Sequence, residues 1–182
     1  MSQLIQYWRM YNEYLPAFVA SVIVISVMFI IMLRYRTKRL NRREEAVKKT
    51  LAEFGAYFFL IVVGFITLSP TKIQITYRFD SSFNVNALFS GDTKQIINVL
   101  LFVPVVLCLV LRFTSTSSAI FIFVAFFISV LIEMLQYLLP LGRIASVNDV
   151  VLNTIGGIIG CVVGMLILRR NNKDLKNHIT TQ

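Results

Sequence analysis

An acidic side chain in the middle of an apolar run is the feature of this sequence best placed to do chemistry. Glu133 stands within Ser118–Leu139, about 9 Å of helix from the Leu139 end. Inserting a central acid into a bilayer costs about 2.5 to 3.5 kcal/mol, and such residues normally face the bundle interior beside a partner. Ser129, Glu133, Gln136 and Tyr137 recur at i, i+4, i+7 and i+8, so a helix gathers all four on one face. Arg143, Asp149 and Asn153 follow within a short distance, and Asn98 opens a separate apolar run. Arg143 could reach back toward Glu133 or forward toward Asp149.

Three uses compete for this set. Arg143 could pair with an anionic headgroup while Glu133, Gln136, Asn98 and Asn153 orient it through hydrogen bonds, which makes an amphiphile-binding site. Glu133 could act as a general acid or base, with water or Ser129 as nucleophile. It could also carry protons in a transporter, although the chain has no internal repeat of the kind transporter folds use. Against all three stands a hydrogen-bond cluster that serves packing alone. For Asp149 that structural role is specific: Ser146-Val147-Asn148-Asp149 reads as a capping box at a helix start.

The residue inventory excludes other chemistries. The one histidine, His178, lies in a polar tail, and Cys108 and Cys161 fall mid-run, where packing is the expected role. With neither a Ser/His or Cys/His pair nor metal-ligand spacing, the sequence predicts no bound metal and no cofactor.

The elements that must position these residues follow from composition. The chain is 57% hydrophobic and only 15% charged, with a mean hydropathy of +0.73, far from the roughly 25% charge of soluble domains. Five runs approach the length that spans a bilayer: Tyr14–Leu33, Phe54–Ser69, Ile96–Leu111, Ser118–Leu139 and Val150–Leu168. The fold class is therefore all-α, a polytopic membrane protein of about five transmembrane helices. The second and third runs reach only about 24 Å, so flanking residues must complete them, with little tilt.

Most of the 18 Lys and Arg residues fall on one side of this arrangement; Arg9, Lys72, Arg78, Lys94 and Arg143 fall on the other. The positive-inside rule then predicts an outside N-terminus and a cytoplasmic C-terminus. The basic block from Arg34 to Lys49 adjoins two spans, where anionic lipid headgroups account for it better than nucleic acid does. It has no Gly or Pro and should extend one span as a surface helix. Tyr7, Trp8, Tyr11 and Tyr14 suit an interfacial belt. In the segment from Pro70 to Gln95, Tyr77, Phe79, Phe83, Leu88 and Phe89 alternate with polar residues, which predicts a loop folded on the membrane face, as plain connection or as lid.

Ser115, Thr116, Ser117 and Ser118 offer caps for the fourth span, and Pro104 interrupts the third. The tight connection from Pro140 to Asp149 makes the fourth and fifth spans antiparallel neighbours. Gly156, Gly160 and Gly164 form a small-residue seam that presses Asn153 against another helix.

Read together, Asn98-Val-Leu-Leu-Phe102-Val-Pro104, Glu133-x-x-Gln136, Gly142-Arg143 and Asp149-Val-Val-Leu-Asn153-Thr-x-Gly156-Gly157-x-x-Gly160 resemble the VanZ-like family of bacterial membrane proteins. The motifs fall between Asn84 and Gly164. Ser146 and Asn148 stand where members often carry acids, and a family glycine near Val106 and a proline near Ala87 are missing; the lost acids argue against a multi-carboxylate metal site. The resemblance implies an association, for some members, with reduced susceptibility to the lipoglycopeptide teicoplanin and supplies no reaction. The chain then divides into an anchor and basic linker (1–50), a four-helix domain (51–168) and a basic tail (169–182). The expected protein resides in the bacterial plasma membrane. It binds or redistributes an amphiphile at the outer leaflet: a lipid, a lipid-linked wall precursor or a lipoglycopeptide. Membrane lipids are its expected partners, with homo-oligomerisation open and nucleic acid excluded. The binding residues are Glu133, Gln136, Arg143, Asp149, Asn153 and Asn98.

Overall fold

The computed structural model describes residues 12–39, 43–70, 79–85 and 92–180, with side chains as far as residue 171. Lipid offers no partners to backbone N–H and C=O groups, so apolar runs that enter it must satisfy themselves as helices. Five do: α1 (Leu15–Arg39), α2 (Arg43–Leu68), α3 (Thr93–Arg112), α4 (Ser118–Leu138) and α5 (Val147–Thr180). Each is long and apolar enough to cross a membrane, α5 through Val147–Asn171. Two-residue strands, β1 (Phe79–Asp80) and β2 (Ala145–Ser146), pair in parallel with Phe79 opposite Ala145 and Asp80 opposite Ser146.

Polar flanks lengthen the two short runs. α2 takes in the second half of the basic block and reaches 26 residues, while α3 begins at Thr93 and reaches 20, about 30 Å. Neither needs a thinned bilayer. The first half of the basic block continues α1 through Arg39. Tyr14 is half-buried just before α1, whereas Tyr7, Trp8 and Tyr11 of the expected belt lie outside the described residues.

Glycine decides which helices touch. A Cβ built on Gly156 would collide with the Val99 carbonyl oxygen, and one on Gly160 with that of Val103. One on Gly164 would sit 2.8 Å from Val110 Cγ1. The paired positions rise together, so α3 and α5 run parallel with backbones in close contact. The seam's partner is thus α3, which is not the sequence neighbour of α5. Gly157 turns the other way, where a Cβ would lie 2.6 Å from Ala125 Cβ on α4. α5 is accordingly held between α3 and its antiparallel neighbour α4.

α2 packs on α3, and α1 packs on α2 without burying any residue of its own. The core is built from Val63, Phe102, Val105, Val106, Phe121, Ala125 and Cys161. Cys161 fills it, and Cys108 lies against Gly55, in keeping with packing roles. The expected hydroxyl cap of α4 does not form: Ser117 occupies the cap position without a side-chain bond, and the Ser118 hydroxyl turns to Met165 Sδ at 3.0 Å.

Candidate functional site

The polar residues of α4 meet the rest of the bundle where α4 hands over to α5. Gly142 takes φ 65, a left-handed conformation that suits glycine, and so turns the chain back over the end of α2. This brings Arg143 onto carbonyls that a helix C-terminus leaves without intrahelical donors. Arg143 donates from Nε to the Ser69 oxygen at 3.1 Å and from Nη2 to the Ile66 oxygen at 2.7 Å. Gln136 donates from Nε2 to the Thr67 oxygen at 2.9 Å. The Ser69 hydroxyl donates to the Phe65 oxygen. Gln136 and Arg143 together therefore cap α2, and the guanidinium also complements the negative end of its dipole.

Glu133 performs the opposite service. Its Oε2 accepts the Ser146 backbone N–H at 2.8 Å, at the mouth of α5. In a capping box that N–H would belong to Asp149. Asp149 instead pairs with Lys94 of α3, Oδ2 to Nζ at 3.0 Å. The capping box read from Ser146 and Asp149 is thus replaced by an acid from a neighbouring helix. The ion pairs open to Arg143 from the sequence do not form either: it joins neither Glu133 nor Asp149, because the end of α2 lies closer. Asp149, Lys94 and Arg143 remain within electrostatic reach of the Glu133 carboxyl.

Deeper in, Asn153 Nδ2 donates to Ser129 Oγ at 2.8 Å, tying α5 to α4. Asn98 precedes Val99, and Asn153 lies three residues before Gly156, so both sit within a turn of the Val99 and Gly156 crossing. Asn98 Nδ2 and Asn153 Oδ1 are buried without a hydrogen-bond partner. Of the six residues expected at the site, Glu133 lines a cavity, Gln136 and Arg143 cap α2, Asp149 holds Lys94, and the two asparagines lie in the α3, α4 and α5 interior.

That cavity, of about 520 Å³, opens on the side of α4 and is lined by Phe79, Phe126, Val130, Glu133, Met134, Tyr137, Ser146, Val147 and Val150. Its walls are mostly apolar, and along α4 Glu133 lies between Phe126 and Tyr137. Phe79 of β1 meets Tyr137 edge-on, with ring centroids 6.4 Å apart. Residues 79–85 of the Pro70–Gln95 segment thus touch the bundle end while staying exposed. The Asn84 N–H reaches Asn148 Oδ1 at 3.3 Å. Ser82 donates its hydroxyl and its backbone N–H to Asp80, holding that carboxyl below the usual carboxylate range.

Two features escaped sequence reasoning. Lys94 had counted only as a charge on the sparse side. At the far end of the bundle, Glu53 of α2 joins Arg36 of α1 and Arg112 of α3. The signal for this triad was present: an acid at the opening of one apolar run, with an arginine beside each adjacent one. Among the described residues no group of three His, Cys, Asp or Glu side chains comes together.

Fold and site together define a polytopic helical membrane protein with a polar cluster at each end, one of them beside a lateral apolar cavity. The chain matches the VanZ/LLP1 family over residues 18–168 and belongs to that family. The match begins within α1, well upstream of the motifs that carried the resemblance. No curated protein and no solved structure matches it significantly.

Proposed function

We propose that this VanZ/LLP1-family membrane protein binds an amphiphile at the outer leaflet, with an acyl or prenyl chain in the lateral cavity and a polar head at Glu133, Ser146 and Lys94. The carrying observation is the cavity itself: about 520 Å³ of mostly apolar space with a carboxylate in its wall. Pockets of this size, mostly apolar with a few convergent polar groups, suit small ligands. Arg143 is engaged with α2, so among the described residues the cation assigned to an anionic head is Lys94, whose side chain is 66% exposed beside Asp149. Glu133 accepts hydroxyl or amide donors of the head. A lipid, a lipid-linked wall precursor or a lipoglycopeptide combines these features, and lowered teicoplanin susceptibility is the expected phenotype.

An enzymatic role is less favoured. Ser129 is fully buried and already accepts from Asn153, so it is not placed as the nucleophile such a role would need. The outside placement of this end rests on the surplus of Lys and Arg at the other.

The test compares wild type, Glu133→Gln and Lys94→Gln in nanodiscs, with teicoplanin and a polyprenyl-diphosphate sugar lipid as probes. Glutamine keeps an acceptor for the Ser146 N–H, so the first variant should fold. Both should bind the retained probe about tenfold more weakly, the loss of one hydrogen bond to a charged group. Wild-type binding and wild-type teicoplanin susceptibility in a well-expressed Glu133→Gln protein would remove this reading.

A further inference from the structure

The second cavity lies at the opposite end, between α1 and α2, and has no part in the site above. Ile25, Met28, Phe29 and Met32 of α1 follow at i, i+3, i+4 and i+7, and face Phe54, Tyr57, Leu60 and Ile61 of α2 across about 420 Å³. Met28 and Tyr57 are more than half exposed, so the groove is open to surrounding lipid. Thr50 and Glu53 close it at one end. From Glu53 to Ile61 the apolar stretch is about 12 Å long.

The closed end is charged, and its charge does not balance. Arg36 reaches Glu53 Oε2 from Nη1 at 2.6 Å and Oε1 from Nη2 at 3.1 Å, and it donates to Thr50 Oγ1 at 3.3 Å. Arg112 binds Glu53 Oε1 from α3. Two guanidinium groups therefore share one carboxylate, each with a side chain only 21% exposed. The last turn of α1 adds Lys38 and Arg39. An uncompensated charge at the edge of a hydrocarbon layer is costly, and a phosphate is the anion best matched to arginine. An apolar groove that closes on Thr50 and Glu53, with Arg36 and Arg112 gathered on that carboxylate, has the shape of a phospholipid and a net positive charge behind its closed end.

We propose that this groove is a binding site for an anionic phospholipid of the leaflet at the basic end, with one acyl chain along α1 and α2 and its phosphate on Arg36. Arg36 recognises the lipid. Glu53 positions Arg36, and Arg112 fixes Glu53 from α3. Bound lipid then covers the join between α1, which buries nothing of its own, and the rest of the bundle.

The experiment uses the full chain, delipidated and returned to nanodiscs of phosphatidylcholine alone or with phosphatidylglycerol, with retained lipid read by native mass spectrometry. Wild type should retain phosphatidylglycerol in clear preference. Arg36→Gln should lower its affinity about tenfold, the loss of one hydrogen bond to a charged group. Because Arg36→Gln also loosens α1, Met28→Trp serves as the second variant: it fills the groove, leaves the triad intact, and should lower retention to a similar degree without lowering Tm. Equal retention of the two lipids by wild type overturns the proposal, as does wild-type retention by either variant. Failure at this end leaves the amphiphile reading of the Glu133 cavity untouched, since none of these residues lines it.

Discussion

Glu133 and Arg143 are an acid and a base ten residues apart in sequence, and an ion pair between them would be the simplest account of both. The structure assigns them to different helices' ends, and a double-mutant cycle separates the two accounts. In Arg143→Gln the loss among the described residues is of two hydrogen bonds from a charged donor, to the Ser69 and Ile66 oxygens. At the lower limit of about 1.5 kcal/mol each, since Arg143 is only half-buried, this is about 3 kcal/mol. In Glu133→Gln the Ser146 N–H keeps an acceptor but loses its charged character, which costs about 1 kcal/mol. Because the two side chains share no hydrogen-bond partner among the described residues, the effects should add, with a coupling energy below about 1 kcal/mol. A buried ion pair behaves otherwise. Removing one partner would cost about 3 to 5 kcal/mol and removing the second would restore much of it. The assay is reversible unfolding of the four proteins in mixed micelles, followed by circular dichroism. A double variant more stable than Arg143→Gln alone would refute the capping assignment.

The seam and the topology give two further outcomes. Gly160→Ala should lower the detergent Tm, by overpacking worth about 1 to 3 kcal/mol, because the new methyl meets the rigid Val103 carbonyl. Gly64→Ala, with nothing within 4 Å of the added carbon, should hold or raise it by up to about 1 kcal/mol, and equal losses at both positions would show that helix propensity, not contact, sets the response. For orientation, a cysteine at exposed Ser82 should react with an impermeant maleimide in intact cells, and one at Asn171 should react only after permeabilisation. The reverse pattern would put the Glu133 cavity on the cytoplasmic side.

Much of the architecture was legible because hydrophobic length is a local property. Five apolar runs specify five helices whatever their neighbours, since an unpaired backbone cannot remain in hydrocarbon. The brief α4 to α5 connection forces an antiparallel pair for the same kind of local reason. The face shared by Ser129, Glu133 and Gln136 follows from the helical repeat alone, and all three are buried. Glycines at four-residue spacing announce a close helix contact but not its partner. That partner proved to be α3, because carbonyls of Val99 and Val103 lie where a side chain would collide, and nothing in a sequence marks one carbonyl as different from the next.

The partners of the polar residues were not legible for that same reason. Sequence displays the charges of Glu133, Arg143 and Asp149 but hides the acceptors and donors that every residue's backbone carries. Which of these lack partners depends on where helices end and what lies over them. Gly142 folds Arg143 across the end of α2, where the Ile66 and Ser69 oxygens are more accessible to it than either acid. Asp149, left to α3, finds Lys94, and Glu133 takes the Ser146 N–H that the capping box had reserved for Asp149. Residue types and spacing thus determined five spans, a glycine seam and a polar face. Only the tertiary structure decided the partner of each polar group, because helix termini create strong, fixed hydrogen-bonding sites whose positions arise from packing and leave no trace in residue type.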